Sequence, residues 1–217
     1  MKLNRCLAFA MTVLAPVLVH GAVVYEFECE PASLELAPGQ TGQVAVALVE
    51  LLTDGSDSLL DARGGLGSFD VALAPSGAAT DPAQLTGVLL DGRFESDFNI
   101  VLPMAIVAGC DPFGASGASA TADDDTRRID LAVFTVTAGA VFGETTLVTV
   151  GDYDTPETGS FDSTFYWDDL AAAEPLDDLI APAAFTVTVV PEPGTAVLLL
   201  AAASVLGGLR RRPARYR

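Results

Sequence analysis

Apolar and polar residues alternate through much of this 217-residue chain. In Val44-Ala45-Val46-Ala47-Leu48-Val49, valine and leucine recur on one face with period two. In Phe185-Thr186-Val187-Thr188-Val189, apolar residues and threonine alternate. Successive strand side chains point to opposite faces, so this alternation predicts half-buried strands. The pattern predicts strands over 33–36, 43–51, 67–74, 84–90, 99–107, 129–137, 145–150 and 185–190. Turn residues punctuate them: Pro38-Gly39, Asp54-Gly55, Gly64-Gly65, Asp91-Gly92, Pro112-Phe113-Gly114 and Gly143. The small, acidic stretch 114–125 reads as a surface loop. Helical periodicity is scarce. Many short, well-punctuated strands predict an all-β chain built as a single β-sandwich.

Two apolar runs depart from the alternation, one near each end. Lys2 and Arg5 precede an apolar run over 7–19 that only Thr12 and Pro16 interrupt, and small Gly21 and Ala22 follow. This layout predicts a secretory signal peptide at 1–21, with Val19 and Gly21 in the recognition positions. The alternative is an uncleaved anchor. The second run, 195–209, is followed by a basic stretch, 210–217, holding five arginines. As a helix it is about 22 Å long at ~1.5 Å per residue. That is short of a bilayer core of ~30 Å. It suits transient insertion with the arginines on the cytoplasmic side. An ordinary single-pass anchor is the alternative. Immediately before it stand Val190, Pro191, Glu192 and Pro193, whose prolines favour the extended backbone a protease needs.

The Val190–Pro193 motif, followed by an apolar helix and an arginine cluster, resembles the PEP-CTERM sorting signal. The resemblance covers 190–217. It implies a protein exported across the inner membrane of a Gram-negative bacterium by the general secretion machinery. It also implies processing near Pro-Glu-Pro by the membrane protease exosortase. The protein would be attached to the inner membrane only transiently, then reach the cell surface or the extracellular space. The central segment, 22–190, carries its own resemblance. Leu34-x-Leu36-x-Pro38-Gly39-x-Thr41-Gly42-x-Val44-x-Val46-x-Leu48 is similar to the opening of cohesin-like domains, where a Pro-Gly turn joins the first two strands. The stretch 66–73 is similar to their glycine-then-aromatic third strand, and 129–147 to their late strand pair. This implies a jelly-roll or cohesin-like β-sandwich. The acidic stretches 54–63 and 116–128 depart from that pattern, and no dockerin partner signature is present.

Charge narrows the function further. Segment 22–190 holds 28 acidic residues against Arg63, Arg93, Arg127 and Arg128, a net charge of −24. Such a domain repels nucleic acid and anionic membrane. Its two cysteines, Cys29 and Cys110, are candidates for one disulfide in an oxidising compartment. A bond across so large a loop would stabilise by about 4 kcal/mol in the chain-entropy model.

The chemistry available is limited. The one histidine is His20 and the one lysine is Lys2, both inside the expected signal peptide. The mature chain then has no group for a Ser-His-Asp triad, a lysine Schiff base or a histidine-bound zinc. Carboxylate chemistry is left, but no motif selects a pair, and the expectation is a non-enzymatic protein with no cofactor. Calcium prefers oxygen ligands, which makes Asp123, Asp124, Asp125, Asp152 and Asp154 its candidates, although their spacing is not that of an EF-hand. Tyr153, Phe161, Phe165, Tyr166 and Trp167 form the richest aromatic stretch. Aromatic faces stack on sugars, so Tyr153, Tyr166 and Trp167 are candidate carbohydrate contacts. The competing reading places Phe161 and Phe165 in the core and Trp167 at the sandwich edge. The sequence therefore predicts an exported structural or adhesive component of the surface or extracellular matrix, with a module binding extracellular polysaccharide as the alternative.

Overall fold

The computed structural model describes residues 23–53, 56–94, 100–102, 105–109, 117–151, 153, 163–166, 176 and 179–192. These residues form an all-β sandwich of two sheets. The strands are β1 (Val24–Glu30), β2 (Ser33–Leu36), β3 (Thr41–Leu51), β4 (Leu66–Ser76), β5 (Gln84–Leu90), β6 (Ile100–Leu102) and β7 (Ala105–Gly109). They continue with β8 (Thr121–Asp123), β9 (Thr126–Thr137), β10 (Thr145–Gly151), β11 (Thr164–Phe165), β12 (Ile180–Ala181) and β13 (Ala183–Val189). A six-stranded sheet runs β12-β1-β3-β9-β5, with β8 beside β9. A seven-stranded sheet runs β2-β13-β10-β4-β7-β6, with β11 beside β4.

One core fills the space between the sheets. Tyr25 and Phe27 of β1, Val44, Val46 and Leu48 of β3, and Phe134 and Val136 of β9 meet Phe69, Val71 and Leu73 of β4. Val148 and Val150 of β10 and Phe185, Val187 and Val189 of β13 complete it. The period-two rows seen in the sequence are these inward faces. On β9 the register shifts opposite Val46 and Ala47, leaving Leu131 as an extra residue. This β-bulge buries Leu131 and Ala132 in succession without disturbing the alternation on either side.

Both terminal strands change sheets at a proline. Pro31 separates β1 from β2, and Pro182 separates β12 from β13. A proline has no N–H to donate, so a ladder stops there. β1 pairs in parallel with β12, and β2 pairs in parallel with β13. The beginning and the end of the domain thus close both sheets along one corner. The Pro38-Gly39 turn joins β2 to β3 with Gly39 at φ 70°.

Three sequence expectations change. The strand expected over 99–107 is a pair, β6 and β7, which meet as an antiparallel hairpin. Pro103 lies between them, where an uninterrupted ladder would need its missing N–H. The loop expected over 114–125 contains β8, and Asp123 pairs with Thr126, so Asp124 and Asp125 form the hairpin turn. The acidic stretch 54–63 holds a short helix, α1 (Leu59–Ala62), capped by Ser58. Residues 1–22, where the signal peptide is expected, and 193–217, where the apolar helix is expected, lie outside the described residues. Among the described residues no helix is long and apolar enough to cross a membrane.

Candidate functional site

The candidate site is the place where the chain leaves the sandwich. Val189, the last residue of β13, is buried, while Pro191 and Glu192 are exposed. The exit is held by three backbone bonds. The Val189 N–H donates to the Glu144 carbonyl at 2.9 Å, the Gly143 N–H to the Val189 carbonyl at 2.9 Å, and the Val190 N–H to the Leu36 carbonyl at 2.9 Å. Along β13, Thr145 faces Thr188 on one side and Glu35 faces Thr188 on the other. The motif residues Val190, Pro191 and Glu192 therefore begin directly at the end of a strand fixed on both flanks. Pro193 lies outside the described residues.

Two loops support this exit. The Glu144 carboxylate accepts the Thr80 N–H at 3.0 Å, the Thr80 hydroxyl at 2.7 Å and the Asp81 N–H at 3.2 Å. These bonds hold its carboxyl below the ordinary range, the Thr80 hydroxyl contributing most. Asp81 in turn accepts the Ala140 N–H. A Cβ on Gly139 would lie 1.9 Å from the Asp81 carbonyl oxygen, so only glycine fits this approach.

At the other end a buried carboxylate, which sequence reasoning missed, does similar work. Glu50 is fully buried. It accepts the Tyr25 hydroxyl at 2.8 Å, the Ser58 hydroxyl at 2.5 Å, the Leu59 N–H at 2.8 Å and the Leu60 N–H at 3.2 Å. The signal was present: Val44, Val46, Leu48 and Glu50 share one strand parity, which points Glu50 inward. A second buried acid, Asp70, accepts the Ser163 hydroxyl at 2.8 Å while its own N–H donates back to Ser163. Both carboxylates engage hydroxyls or N–H groups of the fold.

Arg93, Arg127 and Arg128 also bind acids of the domain. Arg127 pairs with Asp61 at 2.7 Å, and Arg93 pairs with Asp91 at 2.6 Å and lowers that carboxyl's pKa mainly through this bond. Arg128 bonds Asp130 at 3.0 Å and also Glu28. The register places small Ala47 between Glu28 and Asp130, so one guanidinium reaches over β3 to link β9 with β1. A shallow groove of about 570 Å³ opens there, lined by Glu30, Ala45, Leu89, Asp91 and Arg128 among others.

The other candidate residues fall as follows. Asp123, Asp124 and Asp125 are exposed at the β8–β9 turn, and among the described residues no group of three or more acidic, histidine or cysteine side chains is placed to hold a metal. Asp152 and Asp154 lie outside the described residues. Phe165 is a core residue, edge-on to Tyr25 at 6.1 Å, as the packing reading expects. Tyr166 is half-buried, its N–H bonded to the Gly65 carbonyl and its side chain packed near Gly64 and Gly117. Tyr153 is also half-buried. Phe161 and Trp167 lie outside the described residues. Among the described residues Cys29 has no disulfide partner, and burial and the Glu28 charge push its thiol pKa up to about 11. Cys110 lies outside the described residues.

An all-β sandwich whose last strand runs directly into a C-terminal motif is the class of protein this geometry defines. Residues 189–212 match the PEP-CTERM protein-sorting motif, so the chain carries the signal of an exported protein. No curated protein matches the chain. The structure is similar to the N-terminal domain of the Streptococcus gordonii adhesin Sgo0707, at 12% identity and a TM-score of 0.34. The match covers 77% of this chain and 32% of that one, so the chain spans about a third of its length.

Proposed function

We propose that this protein is an exported, non-enzymatic component of the bacterial surface or extracellular matrix, with a structural or adhesive role. In this reading exosortase recognises the C-terminal signal and cuts near Pro191–Pro193. The observation that carries the proposal is the sorting motif over 189–212, which starts at the last residue of the last core strand. Every strand among the described residues ends before Pro191, so a cut near Pro191–Pro193 leaves the core whole. The bilayer segment is held only until processing, and the acidic domain then leaves the membrane for the surface or the medium. A non-enzymatic role is supported by the absence of histidine and lysine after His20 and by the engagement of Glu50 and Asp70 within the fold. Intact mass of the native extracellular protein tests the reading. The expected C-terminus falls at or shortly after the Pro-Glu-Pro motif, and an extracellular form still ending at Arg217 overturns it.

A further inference from the structure

We infer that the turn carrying Val141 and Phe142 is a lipid-contacting tip, which seats the domain on the headgroup interface of a phospholipid bilayer while the C-terminal segment is inserted. The inference rests on the sorting reading above. Three observations lead to it.

The first is exposure on a rigid mount. Phe142 is 63% exposed and Val141 40% exposed. They open a tight turn in which the Glu144 N–H donates to the Val141 carbonyl at 3.3 Å, with Gly143 at φ 82° in the third position. The turn is bonded to both the N–H and the carbonyl of Val189, so Phe142 moves with the exit strand.

The second is reach. Six residue steps lead from buried Val189 to Thr195, where the apolar run begins. Fully extended they span at most about 20 Å at ~3.4 Å each. The headgroup layer on each side of a bilayer takes up about 5–8 Å of that. Insertion of 195–209 therefore draws this end of the sandwich to the interface, and Phe142 lies one residue from the Gly143–Val189 bond. Apolar side chains such as Phe bury at this headgroup–acyl boundary in interfacial segments.

The third is charge. In a domain of net charge −24, two acids of the turn and its neighbouring loop are tied to loop groups at the surface: Glu144 to Thr80 and Asp81, and Asp81 to Ala140. Glu35 and Glu192 stay exposed at this end, which favours zwitterionic over anionic lipid.

Tryptophan quenching tests the inference. The sole tryptophan, Trp167, is first replaced by Phe. The exported precursor, purified with its C-terminal segment attached from cells lacking exosortase, is reconstituted into phosphatidylcholine vesicles with brominated acyl chains. Phe142→Trp is expected to show a blue shift and about twofold quenching by the brominated lipid. Leu89→Trp, on the outer face of the six-stranded sheet, is expected to show neither. Leu199→Trp reports insertion of the apolar run itself. If Leu199→Trp is unquenched, the membrane step of the sorting reading fails. If it is quenched while Phe142→Trp behaves as Leu89→Trp, the tip inference alone is overturned. A blue-shifted but unquenched Trp at 142 means that the chain's own apolar segment covers the tip, which also overturns it. The same holds if Phe142→Ser slows processing in cells while Trp at 142 is unquenched, since the protease is then the occupant.

Discussion

Glu50 and Glu144 do the same work at opposite ends of the sandwich, in different solvents. Each carboxylate accepts two successive backbone N–H groups and a neighbouring hydroxyl from a distant loop: Ser58, Leu59 and Leu60 for Glu50, and Thr80 and Asp81 for Glu144. Glu50 does so in the core, with the Tyr25 hydroxyl as a further donor, and Glu144 does so at the surface. A buried acceptor that is lost leaves its donors unpaired, whereas water replaces an exposed one. The comparison shows how an acid-rich domain uses its acids as loop ties, and it locates where such a tie decides the fold.

The sharpest way to break the comparison is Glu50→Ala. It strands the Tyr25 and Ser58 hydroxyls and the first N–H groups of α1, and we expect a loss of about 3–4 kcal/mol in urea unfolding. A loss below ~1 kcal/mol would mean that water enters the site and that the two ends are equivalent. Gly139→Ala attacks the surface end through its backbone instead. Its Cβ meets the Asp81 carbonyl at 1.9 Å, so that loop has to move. A loss of about 2 kcal/mol by the same measurement is expected. Tyr25→Phe removes one donor from Glu50 and keeps the ring against Phe165, for about 1 kcal/mol.

How much of this was legible in the sequence depends on which physical rule each residue obeys. The rows Val44, Val46, Leu48 and Phe185, Val187, Val189 were readable because an inward face of period two has no competing interpretation. β1 obeys the same rule, with Tyr25 and Phe27 inward and Glu26, Glu28 and Glu30 alternating with them, but it follows directly on the expected signal peptide and so escaped notice. Glu50 lies on a legible row and was missed because its partners, Tyr25 and Ser58, approach from other elements that no local pattern links to it. The acidic run Asp123–Asp125 signalled a loop, yet a two-residue turn uses the same residue types as a longer one. The sorting motif was legible because its order of prolines, apolar run and arginines is a linear code. Its attachment without a spacer was legible too, since the strand expected over 185–190 runs into the motif, whereas the bonds from Gly143, Glu144 and Leu36 that fix the exit join elements no local pattern links.

The smallest effect is also the cleanest test of the surface end. Hydrogen bonds from Thr80 and Asp81 lower the Glu144 pKa in the folded state. A carboxyl depressed on folding contributes stability that is fully present above its unfolded pKa, about 4.3. That contribution is lost as the pH falls through the lower folded value. Glu144→Gln keeps the shape and one acceptor oxygen but removes the titration. Thermal melts from pH 7 downward should therefore show the variant slightly less stable than the parent at neutral pH, with the two curves converging below about pH 4 as the parent's carboxyl protonates. A constant offset at every pH would assign the loss to altered geometry and not to charge. No offset at all would show that water satisfies the Thr80–Asp81 loop as well as Glu144 does, leaving Glu50 as the one carboxylate tie of the two that holds the fold.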